Sequence, residues 1–273
     1  MILSIQFNDR KFTVDTDDGT SLAIPMDFEG PQPNHFGAPK ASKSPIKLGG
    51  FVGDTTGGGS CNVDSISLTP HCNGTHTETV GHIVDDDIFI GHGLQSLMTA
   101  TVVTLQPVAS NVATDQGDDY RPALGNTDKV ITRKNLEDSL SGFANAPTDA
   151  LIIRTHSDES KRTVAYNEDN YPAFLTVQAM EWIVAQGISH LLLDLPSVDR
   201  MYDDGLLTNH HLFWKVKEGS HKIGANTNQD KTITEMIFVP SAIRDGLYLL
   251  NLQVPALGTD AAPSNPVVFV LKD

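Results

Sequence analysis

A chain of 273 residues with 39% hydrophobic and 19% charged residues has material for one large α/β core, and no run approaches the ~18 apolar residues of a membrane span. Its 34 acidic residues against 19 basic ones leave a net charge of −15. The basic residues never cluster, which argues against nucleic acid and against an anionic membrane as partners and leaves a small-molecule substrate.

The N-terminal residues read as short strands, Ile2–Phe7, Lys11–Asp15 and Ser21–Ile24, joined by turns at Asn8-Asp9 and Asp17-Asp18-Gly19. With no signal peptide and only two cysteines, Cys61 and Cys72, a reducing cytoplasmic setting is expected. Residues 30–59 are rich in Pro, Gly and Ser and read as a long ordered loop, a site wall or an oligomer contact. Asn62–Pro70 follows as a strand carrying Val63, Ile66 and Leu68. Further on, Thr99–Pro107 and Ala150–Arg154 are apolar runs typical of a covered sheet. Thr132–Phe143 has a helical spacing with Leu136 and Leu140 on one face. Phe174–Ala185 is a second helix, stopped by Gly187. Ile188–Leu193 is the next buried strand, and Ile233–Val239, Tyr248–Val254 and Val267–Leu271 complete the series. Helices and strands alternate in the middle while strands dominate both ends. The expected architecture is a mixed α/β fold, one domain over residues 1–273, with helices packed on a curved sheet.

The segment C-N-G-T-H-T-E-T-V-G-H, Cys72 to His82, carries the chemistry. Cys72, His76, Glu78 and His82 all have even numbers, so in an extended backbone their side chains share one face. Thiolate, imidazole and carboxylate are the donors of zinc-like cations, and a further imidazole moves protons. Parity favours Cys72 as the first ligand; His71 takes that place if the strand is kinked. Other motifs are weaker. Gly57-Gly58-Gly59-Ser60 lacks the Lys-Ser/Thr of a phosphate loop, and Ser60 lacks a G-x-S-x-G setting. Cys72 as a nucleophile beside His76 has no third orienting residue. Asp85-Asp86-Asp87 reads as a solvated turn, and Phe36, Phe51 and Trp214 are aromatic candidates for a pocket wall.

The segment resembles the signature H-x-G-T-H-x-D-x-P-x-H of the cyclase or kynurenine-formamidase-like (arylformamidase) superfamily of metal-dependent hydrolases. Gly74, Thr75, His76 and His82 match it; Cys72, Glu78 and Val80 stand where the family has His, Asp and Pro. Cys for His and Glu for Asp keep the capacity to bind a metal, while a thiolate favours softer ions. The resemblance implies a swivelling β/β/α fold, a homodimer or homotetramer, and one or two divalent ions per chain, zinc first and manganese second. It also implies a second ligand set in which His210, aligned better than His211, and Glu235 join Glu78 as the bridging carboxylate. The stretch between them, with Ser220–Lys231, is longer than the family pattern. Asp194-Leu195-Pro196-Ser197-Val198-Asp199 resembles a family segment D-x-x-S-x-D and is assigned to the scaffold.

Together these features predict a metal-dependent hydrolase of an amide, formamide or cyclic amide C–N bond, with His82 as acid/base. The competing expectations are a metal-dependent lyase or dehydratase on the same scaffold and a non-catalytic metal-binding protein.

Overall fold

Apolar alternation along the central strands explains the sheet that organises the molecule. The structure is a computed structural model and describes residues 1–7, 10–91, 94–143 and 149–272. The expected Asn8-Asp9 turn lies outside the described residues. We number the strands of the main sheet β1 (Thr20–Ser21), β2 (His76–Glu78), β3 (Leu97–Thr104), β4 (Ala150–Arg154), β5 (His190–Leu193), β6 (Thr232–Glu235), β7 (Gly246–Gln253), β8 (Ala261–Pro263) and β9 (Asn265–Val270). Their spatial order is β8-β2-β6-β5-β4-β3-β7-β9-β1. The central run β6, β5, β4, β3 is parallel, and the flanking strands pair antiparallel.

Parallel strands need crossovers, and helices supply them here. α1 (Pro70–Asn73) and α2 (Ser110–Asp115) are short; α3 (Arg133–Leu140), α4 (Val177–Ala185) and α5 (Thr208–Trp214) lie between β3 and β4, β4 and β5, and β5 and β6 respectively. Every residue of β4 is buried. Leu151 and Ile153 join Val103, Leu191, Leu193 and Ile233 under Leu136, Met180, Ile183 and Phe213 of the helices. Ala150 and Ile152 turn the other way, into a second core with Val102, Leu192, Leu250 and Val268. A strand buried on both faces reads as an unbroken apolar run, which is what A-L-I-I displays.

Four expectations need correction. Phe174–Ala185 is not one helix: Phe174–Leu175 is a strand, and Thr176 then caps α4 by accepting from the Ala179 N–H at 3.2 Å. Polar Thr176 hides the break because hydrophobic spacing continues across it. α4 does stop at Gly187, whose φ of 78° favours glycine. Residues 30–59 are not all loop; Ser42–Pro45 pairs with Asp64–Ser67, and Lys47–Leu48 with Phe51–Val52, as small exposed ribbons. The strand expected at Asn62–Pro70 is therefore a solvent-exposed ribbon edge that ends at Ser67. The extended segment expected from Cys72 to His82 is a helical turn, α1, then β2, then a tight turn at Val80–His82. Among the described residues no helix is long and apolar enough to cross a membrane.

Candidate metal centre

The short strand β2 places the centre through its register with β6. Glu235 lies opposite His76 and Ile233 opposite Glu78, so His76, Glu78 and Glu235 share one face. On the other face Thr77 and Thr234 bind each other through their hydroxyls at 2.8 Å. All three ligand-type side chains are buried, Glu78 and His76 at 0% exposure.

Each residue of the Gly-Thr-His core has a physical task. Gly74 adopts φ 153° and ψ −162° at the end of α1, a region open essentially to glycine. Its carbonyl lies 2.9 Å from His76 Nδ1 and accepts that proton, which fixes the tautomer. Thr75 donates to the Met236 carbonyl at 2.5 Å and accepts from the Ile24 N–H at 2.9 Å, pinning the motif to the end of β6.

With Nδ1 committed to Gly74, His76 Nε2 carries a lone pair. It lies 3.4 Å from Glu235 Oε2, and it has no hydrogen-bond partner. His76 Nε2 and Glu78 Oε2 are thus buried acceptors with no donor, beside the Glu235 carboxylate. Such a set is stable only around positive charge. His76, Glu78 and Glu235 bring their ligand atoms within 4.8 Å of one another, as do His71, Glu78 and His82. The donor set thus fits a divalent cation, and Glu78 belongs to both groups.

Three further imidazoles surround Glu78. His210 Nε2 lies 3.0 Å from Oε1, and 3.9 Å from Glu235 Oε1. His71 Nδ1 lies 3.0 Å from Glu78 Oε2, in ion-pair range but off hydrogen-bond geometry. His82 Nε2 stands 3.9 Å from the same oxygen. Burial pushes the Glu78 carboxyl up, but the facing His82 and His210 charges hold it well below the usual carboxylate range. His71 is likewise opposed by burial, yet its hydrogen bond to Asp260 and the facing Glu78 carboxylate raise it to about 10.

Outer carboxylates orient the rings. Asp260 Oδ2 lies 2.8 Å from His71 Nε2 and 3.4 Å from His82 Nδ1. Hydrogen bonds from those two rings hold the Asp260 carboxyl below its ordinary range, against its partial burial. Asp199, buried, takes His210 Nδ1 at 2.5 Å and the Tyr120 hydroxyl at 2.7 Å. It also accepts the Asn209 N–H at the start of α5, at 2.7 Å. The D-x-x-S-x-D segment assigned to the scaffold therefore reaches the site through its last residue. Asp194 is bound instead to Thr155 and the His156 N–H.

The structure brings together His76, Glu78, His82, His210 and Glu235 of the expected set. It turns His210, not His211, toward Glu78; His211 Nδ1 faces the Val216 carbonyl. Cys72 is in neither converging group. It sits half-buried on α1 with its thiol pushed up by burial and by Glu235. The parity argument assumed an extended backbone, and the helical turn at Pro70–Asn73 rotates His71 inward instead. Asp260 carried no motif that sequence reasoning had registered; only the pairing of β8 with β2 brings it near.

The chain matches the family model described as "Putative cyclase" over residues 3–200 of its 273. It belongs to the cyclase family. No curated protein matches it by sequence. Among solved structures, it is similar to a novel cyclase (TM-score 0.61, 17% identity, covering 93% of this chain and 87% of that one). It is also similar to isatin hydrolase A from Labrenzia aggregata (0.58, 14%, 92% and 93%). A third is a predicted metal-dependent hydrolase from Bacillus stearothermophilus (0.56, 15%, 92% and 98%). At such identities the likeness is one of fold, and the mixed α/β architecture expected from the sequence is that of these structures.

Proposed function

We propose that this cyclase-family member is a metal-dependent hydrolase of an amide, formamide or cyclic amide C–N bond. The reading rests on one observation: His76 Nε2 and Glu78 Oε2 are buried acceptors without a donor, gathered with the Glu235 carboxylate into one cluster. His76, Glu78 and Glu235 would hold the ion, with His71 and His210 completing its surroundings. Nitrogen and carboxylate oxygen donors without a thiolate suit zinc or manganese. A divalent ion here supplies Lewis acidity toward a carbonyl oxygen and toward water.

His82 is the acid/base. It is half-buried, with a side chain 26% exposed, so one edge meets solvent while the other faces Glu78. Asp260 anchors its Nδ1 side and leaves Nε2 toward the carboxylate cluster. In this role it accepts a proton from the attacking water and returns it to the leaving nitrogen, so that one water adds across the C–N bond. The names of the isatin hydrolases and of the metal-dependent hydrolase point to the same reaction class for this chain.

The experiment is metal analysis of protein purified without chelator, joined to turnover on a panel of formamides, lactams and esters. Bound zinc or manganese with hydrolysis of at least one formamide or lactam is expected. Full metal occupancy with no turnover across the panel would point instead to a lyase or a non-catalytic metal protein.

A further inference from the structure

Tyr120 is a buried polar residue that the hydrolase reading leaves without a task. It is 3% exposed, and its ring packs on Phe174 with centroids 4.7 Å apart, in a small core with Ala113, Val130 and Val177. Phenylalanine would serve that packing equally well, so the hydroxyl needs a reason of its own. Burial and the facing Asp199 push the phenol up, so the oxygen keeps its proton and acts as a donor. It donates to Asp199 Oδ1 at 2.7 Å and accepts the Arg200 N–H at 3.1 Å. Accepting one hydrogen bond strengthens the one it gives.

The flanking backbone holds this hydroxyl in place. The Val177 N–H donates to the Asp119 carbonyl at 3.0 Å, and Thr208 Oγ1 donates to the Arg121 carbonyl at 3.0 Å. Asp119 and Arg121 are thus tied to the first turns of α4 and α5, with Tyr120 between them. Asp199 Oδ1 takes the Tyr120 hydroxyl and the Asn209 N–H. Its Oδ2 takes the His210 N–H at 3.2 Å and lies 2.5 Å from His210 Nδ1. Of these donors Tyr120 is the one outside α5. His210 Nε2 in turn meets Glu78 Oε1 at 3.0 Å, so a buried chain of hydrogen bonds runs from the phenol to the carboxylate that both ligand groups share.

We propose that Tyr120 is a positioning residue, whose hydroxyl clamps the Asp199 carboxylate and through it sets the His210 ring against Glu78 at the metal centre. This role deepens the hydrolase reading: its metal-affinity test rests on that reading, and its spectroscopic test does not.

The spectroscopic test follows the His210 Nδ1 proton in metal-free protein with ring-15N-labelled histidine. That signal is the one lost in Asp199→Asn, or in His210→Gln if the first variant does not fold. Tyr120→Phe keeps the ring and deletes the hydroxyl, which leaves more charge on Asp199 Oδ2, so the proton should move downfield. Replacing the five tyrosines of the chain with 3-fluorotyrosine makes the phenol a stronger donor and should move it upfield. Phe174→Leu loosens the same core, spares the hydroxyl and should leave the proton in place. In chelator competition Tyr120→Phe should hold zinc about tenfold more weakly than wild type, the low end of what an orienting partner contributes. Phe174→Leu should match wild type. A proton that Tyr120→Phe leaves unmoved, or that Phe174→Leu moves as far, overturns the proposal, and so does undiminished zinc affinity in Tyr120→Phe. If Tyr120→Phe does not fold, the 3-fluorotyrosine shift decides, and its absence overturns the proposal. Wild type that binds neither zinc nor manganese removes the hydrolase reading, and the proton shifts alone then decide the role of Tyr120.

Discussion

Glu78 is wholly buried and shared by both converging ligand groups, so its charge is the one both depend on. Glu78→Gln keeps the shape and removes the charge; the metal retained per chain by elemental analysis is expected to fall at least tenfold. Asp199 acts one step further out, through His210. In Asp199→Asn the fold should persist while metal affinity, read by chelator competition, drops roughly 10- to 100-fold, the usual effect of losing a carboxylate that orients a ligand ring. His82→Ala should keep its metal and lose turnover at least about a hundredfold; unchanged turnover would remove His82 from the mechanism. At this scale the sequence was legible where spacing alone mattered. His76 and Glu78 are two apart on a real strand, so their common face was readable from numbers. The choice of Cys72 over His71 failed to anticipate the geometry because the four-residue helical turn Pro70–Asn73 reverses which side chain points inward.

Elements were legible in proportion to their length and burial. Ala150–Arg154 was read to the residue because burial on both faces leaves an uninterrupted apolar run bounded by polar residues. α3 was anticipated from Leu136 and Leu140, and its start is set by Thr132, whose side chain and that of Asn135 cap each other's backbone N–H groups. Thr132→Ala should cost about 1 kcal/mol of stability, measured by urea denaturation, as loss of such a cap does. The strand Ala261–Pro263 was not anticipated, since three residues carry no measurable period. It nevertheless edges the sheet beside β2 and carries Asp260 to the imidazoles.

At the scale of the whole molecule, acid sensitivity follows from buried neutral histidine. His190 lies in β5 with 5% exposure and is held down to about 4 by burial. Above pH 6.5 neither the folded nor the unfolded chain protonates it, and it costs nothing. Between 6.5 and about 4 the unfolded chain binds the proton and the folded one does not, so stability falls as pH falls. The loss from this residue is on the order of 3 kcal/mol when complete. Urea midpoints of wild type should therefore drop between pH 7 and pH 4.5, and His190→Asn should flatten that part of the profile. The small ribbons within residues 42–67 expose Leu48 and Ile66 at 68% and 60%; we propose them as the contact of a homodimer or homotetramer, which light scattering will read directly.

The sequence by itself determined the class of the molecule, its buried central strands and the family of its ligand residues, because burial patterns and motif spacing are local properties. Only the tertiary structure decided which side chains meet. The antiparallel register of β2 with β6 sets Glu235 against His76, the α1 turn points His71 rather than Cys72 into the cluster, and Asp260 arrives from the far end of the chain to hold two of the rings. The pairing of Glu235 with His76 and the approach of Asp260 to His71 join residues more than a hundred positions apart, and no window of sequence contains both partners.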